Sequence, residues 1–141
     1  MRRVLFDSDV LLDVLAERQS FVVASARALN AVTQPAVQGY ISGHAVTNIF
    51  YMLRRQVGSE TARQLLSRLL QHLQVASVTN QVIRAALQSS ITDFEDAVTI
   101  EAATAAGVEV IVTRNTHDFA ASIIPAVSPE EFLVMLSEEV D

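Results

Sequence analysis

The sequence predicts an α/β protein with three layers, α/β/α, built on a mostly parallel central sheet of about five strands. Two observations support this fold class. Short apolar segments alternate along the chain with longer segments of helical periodicity. The apolar segments are hydrophobic at consecutive positions, which is typical of strands that helices cover on both faces. In such sheets ligands bind beyond the carboxyl ends of the strands, so the residues that follow each strand are the first candidates for a site.

The predicted strands are short and lie at regular intervals. The clearest of them is VEVIVT, because five of its six residues are β-branched. The five predicted segments are 2–6, 39–42, 75–78, 108–113 and 123–127.

Helix-capping residues mark several of the predicted helices between these strands. Asp9 is the expected N-cap of the first helix. Thr92 and Glu95 have the spacing of a capping box, and so do Ser128 and Glu131. The predicted helices are 10–17, 20–33, 45–58, 59–73, 79–90, 93–106 and a last one from 129.

Composition favours a single globular domain formed by residues 1–141. The chain has no cysteine, which excludes disulfides and thiolate metal sites. It shows no signal peptide and no stretch apolar enough to span a membrane, so we expect a cytoplasmic protein. The net charge of −6 does not favour non-specific nucleic-acid binding, unless the acids are gathered in a cleft that holds cations.

Four aspartates are candidates for one acidic site. Asp7 follows the first strand, Asp93 and Asp96 are three residues apart at a helix start, and Asp118 follows the VEVIVT strand. If these carboxylates converge, their repulsion must be offset, and oxygen ligands suit Mg²⁺ or Mn²⁺. Asp93 could equally favour its own helix N-terminus, and Asp118 could be a turn residue.

Other polar residues have simpler interpretations. We expect Asp13 to be a solvated helix residue. His44, His72 and His117 lack metal-ligand spacing and are interpreted as surface or loop residues. No GxSxG or GxxxxGK motif is present, which argues against a serine hydrolase and a phosphate-binding loop.

The sequence resembles the PIN-domain family, metal-dependent nucleases that include the VapC-type toxins of bacterial toxin–antitoxin pairs. The resemblance covers nearly the whole chain, and it is closest to the subgroup that carries a DFEDA box. Four segments carry it: FDSDVLLDVL, GYISGHAVTNIFYMLRR, DFEDAVTIEAATAAGVEVIVTRNTHDF and AVSPEEFL.

The resemblance implies that Asp7 and Asp96 are the catalytic residues and principal metal ligands, with Asp93 and Asp118 as further ligands. The family usually ends its site with T-x-D, whereas this chain has Asn115 at the acidic position.

Most PIN toxins also carry a glutamate on the middle helix, where this chain has Asn48. Asn48, Thr113 and Asn115 are therefore expected to be neutral ligands, supporting residues or phosphate contacts. Arg54, Arg55 and Arg114 are expected to contact RNA phosphate, although Arg54 and Arg55 could instead offset the negative end of their own helix.

The resemblance thus implies an endoribonuclease dependent on Mg²⁺ or Mn²⁺, which acts on tRNA or mRNA as the toxin of a type II toxin–antitoxin pair. It also implies a homodimer and a small antitoxin partner. The alternative is a weakly active or inactive PIN domain that binds RNA or a protein without cleavage. A haloacid-dehalogenase phosphatase and a phospho-receiver domain are less well supported, because both families use a lysine and this chain has none.

Overall fold

A computed structural model describes residues 2–138, and its centre is a five-stranded sheet in which every neighbouring pair is parallel. The strand order is β3-β2-β1-β4-β5. The predicted sheet is therefore confirmed, with shorter strands than expected toward the end of the chain. The strands are β1 (Arg2–Phe6), β2 (Val37–Ser42), β3 (Leu73–Ala76), β4 (Val110–Val112) and β5 (Ala126–Val127).

Helices cover both faces of this sheet, which confirms the three-layer α/β/α fold. One face packs against α1, α2, α3, α4 and α7, and the other packs against α5 and α6. The helices are α1 (Ser8–Leu15), α2 (Val22–Asn30), α3 (Gly43–Val57), α4 (Ser59–Leu69), α5 (Asn80–Leu87), α6 (Phe94–Ala105) and α7 (Pro129–Glu138).

The central strand β1 shows why the sequence folds in this way. Val4 and Phe6 pack into the core on one face, Leu5 packs into the core on the other, and all three are fully buried. Each such side chain contributes about 1.5–3 kcal/mol on burial. Because β1 is buried on both faces, the polar residues that follow it are fixed at the rim of the sheet.

The first helix begins two residues earlier than predicted. Its N-cap is Asp7, whose side chain accepts a hydrogen bond from the Ser8 N–H, and Asp9 lies inside the first turn. The prediction that Asp9 caps this helix is wrong. Both aspartates are suitable caps, and Asp7 takes the position because β1 ends directly before it.

The N-terminus of α6 also differs from the prediction. Asp93 is the N-cap and accepts a hydrogen bond from the Asp96 N–H at 3.0 Å, so the predicted pairing of Thr92 with Glu95 is wrong. A carboxylate is a strong acceptor at the positive end of a helix. In contrast, the capping box of Ser128 and Glu131 is confirmed, with both reciprocal hydrogen bonds at 2.9 and 3.0 Å.

The strand order reverses at β1, which lies between β2 and β4. The crevice at the carboxyl ends of β1 and β4 is thus the point where open α/β sheets bind ligands. Within residues 2–138, no helix combines the length and apolarity needed to cross a bilayer. The predicted domain also includes Met1 and residues 139–141, which lie outside the described residues.

Candidate active site

Four aspartates meet near this crevice. Asp7 follows β1, Asp93 and Asp96 start α6, and Asp118 lies in a short 3₁₀ turn, Thr116–Phe119. A cleft of about 590 Å³ is bordered by Asp93, Asp96, His117, Asp118, Ser90, Ile91, Thr92, Ala120 and Ala121. Asp7 is within electrostatic range of Asp93, Asp96 and Asp118.

The pKa of Asp96 shows how strongly these charges interact. The pKa of Asp96 is raised to about 7, first by burial and then by the negative charges of Asp93 and Asp7. Asp118 and Glu95 act in the same direction. At neutral pH a large share of Asp96 is therefore protonated, unless a cation enters the cleft.

Asp7 is oriented by two hydrogen bonds. The Ser8 N–H donates to its Oδ1 and the Thr113 hydroxyl donates to its Oδ2, both at 2.9 Å. Burial nevertheless raises the pKa of Asp7, although these two hydrogen bonds oppose the effect. The repulsion of Asp118 and Asp93 adds to the increase.

Asp9 belongs to the same site, which sequence reasoning missed. Its Oδ2 accepts hydrogen bonds from the backbone N–H of Arg114 at 3.1 Å and from the Asn115 side-chain amide at 3.0 Å. The pKa of Asp9 is raised to about 6: burial is the largest cause and the charge of Asp7 adds to it, while Arg114 acts in the opposite direction. Asn115, which stands where the family usually has an acid, therefore donates a hydrogen bond to a carboxylate of the same chain.

Asp13 is completely buried, so the prediction of a solvated residue is wrong. Its Oδ2 accepts hydrogen bonds from the Arg114 Nε at 2.7 Å and from the Ser25 hydroxyl at 2.9 Å. The Arg18 guanidinium lies 3.9 Å from its Oδ1. The Arg114 guanidinium also stacks on the Phe21 ring, 3.9 Å from its centre. Asp9 and Asp13 are four residues apart and share one face of the helix, but this spacing does not identify Arg114 as their partner.

The middle helix α3 contributes neutral side chains. The Asn48 amide reaches Glu95 at 3.5 Å, across to α6. His44 lies between the Ser42 hydroxyl at 3.1 Å and the Thr99 hydroxyl at 3.4 Å. Burial lowers the pKa of His44, which favours its neutral form, although Glu95 acts in the opposite direction.

The histidine predictions are thus mixed. His44 is half-buried at the start of α3, so its interpretation as a surface or loop residue is wrong. His72 is exposed as expected, and His117 lies exposed in the 3₁₀ turn, where it also borders the cleft.

Two of the predicted RNA contacts lie further along α3. Arg54 and Arg55 are in its last turn, and Arg54 lies over the Tyr51 ring at 5.0 Å. Arg54 lies six positions after Asn48, which corresponds to roughly 9 Å along a helix axis. Neither arginine is among the residues that border the cleft.

The donor set of the cleft fits a hard divalent cation. All four candidate ligands are carboxylates, and their repulsion is the kind of cost that Mg²⁺ or Mn²⁺ removes. In the part of the chain that the structure describes, no three His, Cys, Asp or Glu side chains are close enough to enclose a metal. Mg²⁺ is commonly held by only one or two carboxylates and keeps several waters, so a closed cage is not required.

Comparisons with known proteins identify the family and the fold. A family model described as PIN domain matches residues 3–117. No curated protein matches the chain.

Several solved structures share the fold. A toxin–antitoxin complex from Klebsiella pneumoniae matches with a TM-score of 0.69 and 24% identity, over 89% of this chain and 97% of the matched chain. VapC20 from Mycobacterium tuberculosis, described as a sarcin-ricin loop cleaving toxin, matches with a TM-score of 0.68 and 17% identity, over 84% and 94%. DNA-bound VapBC from Salmonella typhimurium matches with a TM-score of 0.65 and 14% identity, over 91% and 98%.

Proposed function

The chain belongs to the PIN domain family, and we propose that it is a metal-dependent endoribonuclease that hydrolyses RNA phosphodiester bonds. The proposal assigns this activity to one nuclease domain formed by residues 1–141. The observation that supports it best is the set of four carboxylates at the carboxyl ends of β1 and β4. Among residues 2–138, no ion pair offsets the charge of any of the four.

The carboxylates have different roles in this proposal. Asp7 and Asp96 are the catalytic residues and would hold Mg²⁺ or Mn²⁺ directly. Asp93 and Asp118 would hold the ion through water or complete its coordination. When bound, such a cation lowers the pKa of water to produce a nucleophile and stabilises the charge that develops on the phosphate.

The remaining residues support this arrangement. Thr113 fixes the orientation of the Asp7 carboxylate through its hydroxyl. Asn48 and Asn115 contact the acids Glu95 and Asp9, and act as supporting residues.

The charged residues suggest where RNA would lie. Arg54 and Arg55 remain the candidate phosphate contacts, since both are exposed near the end of α3. The guanidinium of Arg114 is bound by Asp13, so we assign that residue a structural role instead.

We further propose that the protein is the cytoplasmic toxin of a type II toxin–antitoxin pair. The support is at the level of the fold, because the similar structures from Klebsiella pneumoniae and Salmonella typhimurium are described as a toxin–antitoxin complex and as DNA-bound VapBC. A small antitoxin protein and a homodimer belong to this proposal. Co-expression with a small protein encoded beside the chain, followed by co-purification, tests the partner separately from the activity.

The activity is tested by incubating the purified chain with a labelled tRNA in Mn²⁺, in Mg²⁺ and in a chelator. We expect metal-dependent cleavage that falls at least about 100-fold in Asp7→Asn and in Asp96→Asn. Glu60→Gln is the matched control, since it neutralises an exposed carboxylate on α4, outside the cleft.

Absence of cleavage across tRNA and mRNA substrates in both metals, with a folded protein, would overturn the proposal. RNA binding that persists under those conditions would favour the alternative, a PIN domain that binds without cleaving.

A further inference from the structure

Helix α1 carries two carboxylates that contact the segment 113–115, which follows β4. Asp9 and Asp13 are four residues apart, so their side chains lie on the same face of the helix. Asp9 contacts the backbone and the side chains of this segment, and Asp13 contacts the side chain of Arg114. The two residues therefore attach one segment of the crevice to one face of α1.

The inner contact is made by Asp9. Its Oδ2 accepts hydrogen bonds from the Arg114 N–H and from the Asn115 amide, while its Oδ1 is buried with no hydrogen-bond partner in the described structure. A carboxylate oxygen that accepts two such bonds holds both donors in a narrow range of positions. Asp9 thereby sets the path of the backbone directly after Thr113.

That path determines where the Thr113 hydroxyl points. The Asn115 N–H donates to the Thr113 Oγ1 at 3.0 Å, so the hydroxyl is already an acceptor on that side. The Thr113 hydroxyl has one hydrogen, which it can donate to a carboxylate. The Asp7 Oδ2 at 2.9 Å is a closer acceptor than the Asp9 Oδ2 at 3.4 Å. The Asp7 orientation thus depends on the placement of Asn115.

The outer contact is made by Asp13, which is completely buried. It binds the Arg114 Nε at 2.7 Å, and the other side of that guanidinium stacks on Phe21. The Ser25 hydroxyl of α2 donates to the same oxygen of Asp13. These contacts restrict the position of the Arg114 side chain. If the guanidinium moves away, the Asp13 carboxylate remains buried without its ion-pair partner, which is costly.

We propose that Asp9 and Asp13 are positioning residues, which hold the segment 113–115 so that Thr113 orients the Asp7 carboxylate for cation binding. The part that concerns the cation rests on the proposed function, and the part that concerns the orientation of Asp7 does not. Asp9 and Asp13 act through Thr113 and touch neither the cation nor the RNA.

A double-mutant cycle in Mn²⁺ affinity tests the route of this effect. Calorimetric titration with Mn²⁺ compares the wild-type chain, Asp9→Asn, Thr113→Val and the double variant. We expect each single change to weaken binding by about 10- to 100-fold, as losses of supporting residues do at metal sites. The double variant should be no weaker than the weaker single variant, because both changes break the same connection.

Thr33→Val is the matched control, because the Thr33 hydroxyl bonds only locally, to the Asn30 carbonyl, on the surface. It should leave the affinity for Mn²⁺ unchanged. Asp13→Asn should weaken Mn²⁺ binding in the same way as Asp9→Asn. If Asp13→Asn does not fold, Ser25→Ala, which removes the second donor to the Asp13 Oδ2, tests the role of Asp13 by the same titration, and an unchanged affinity would contradict that role.

Additive effects of Asp9→Asn and Thr113→Val would overturn the proposal, since they would indicate that Asp9 acts on the cation directly. An unchanged affinity in Asp9→Asn would overturn it as well.

Crystal structures of the metal-free wild type and Asp9→Asn give a readout that does not depend on the proposed function. We expect the variant to lose the hydrogen bond from Thr113 to Asp7, and its retention would contradict the positioning role. A wild-type chain that binds no Mn²⁺ would refute the proposed function, while this structural comparison would still decide the role of Asp9.

Discussion

The carboxylates of the cleft and the carboxylate of Asp13 differ both in burial and in the charged groups that surround them. Asp13 has 0% of its surface exposed, yet it has a cation at 2.7 Å. Asp96 is only partly buried, yet its pKa is raised to about 7. Burial is the largest cause of the raised pKa of Asp96, and the carboxylates around it raise the pKa further, whereas Asp13 faces the Arg114 guanidinium.

This contrast separates a structural task from a functional one. Asp13 on α1 forms its ion pair with Arg114 of the same chain, and this pair joins α1 to the segment that follows β4. The negative charges of the cleft aspartates are not compensated within the described chain. They repel one another, and no arginine or histidine among residues 2–138 forms an ion pair with them. We therefore expect opposite effects on stability when the two kinds of acid are neutralised.

The largest effect on stability is expected for Asp13→Ala. Removing one partner of a buried ion pair leaves the Arg114 charge uncompensated and should lower the free energy of unfolding by about 3–5 kcal/mol. Urea unfolding measures this quantity. Glu60→Ala, at an exposed position on α4, should change it by less than about 0.5 kcal/mol. A loss below about 1 kcal/mol for Asp13→Ala would show that the ion pair is not essential to the fold.

A smaller and opposite effect is expected for Asp96→Asn in metal-free protein. The folded pKa of about 7 lies above the ordinary aspartate value of 3.8, so between these values the folded state binds more protons than the unfolded state. The contribution of Asp96 therefore favours the folded state less and less as pH rises through this window. In Asp96→Asn, stability should therefore fall less steeply with rising pH, and the melting temperature near pH 7 should be higher than in the wild type.

Melting temperatures in a chelator between about pH 5 and 7.5 test this expectation. Asp7 and Asp9 also have raised pKa values, so some dependence on pH should remain in the variant. Added Mn²⁺ should stabilise the wild type most at the upper end of the range, where the carboxylates are ionised. A variant with the same pH slope as the wild type would show that the raised pKa of Asp96 is absent in solution.

The fold was predictable from the sequence because its causes are local. The apolar pattern of 2–6 already identifies a strand covered on both faces, and the order of strands and helices implies a parallel sheet. The convergence of Asp7 and Asp96 was also predictable, since one follows a strand and the other begins a helix. The helix caps were less predictable, because Asp7 and Asp9 are both suitable acceptors and only the end of β1 selects between them.

The role of Asp13 was not predictable from local pattern. A charged residue on a short helix is usually solvated, and its partner Arg114 lies 101 positions further along the chain. Asn115 presents the same difficulty. The resemblance marks it as a missing acid, and only the structure shows that its amide donates to Asp9.

The smallest effect is expected for Asn115→Asp, which places a second carboxylate against Asp9. The Asn115 amide donates to the Asp9 Oδ2 at 3.0 Å, and a carboxylate at position 115 accepts where the amide donated. Because residue 115 is exposed, the new side chain can turn toward water, so the loss should be only about 0.5–1.5 kcal/mol at pH 8. Below pH 6 the loss should shrink, since Asp9, with a pKa of about 6, then carries a proton that it can donate.

Asp9→Asn combined with Asn115→Asp restores one donor and one acceptor, so the double variant should be more stable than the sum of the single changes predicts. Strict additivity in urea unfolding at pH 8 would instead mean that the two side chains do not interact, and that Asp9 holds the segment 113–115 through the Arg114 backbone N–H without the Asn115 amide.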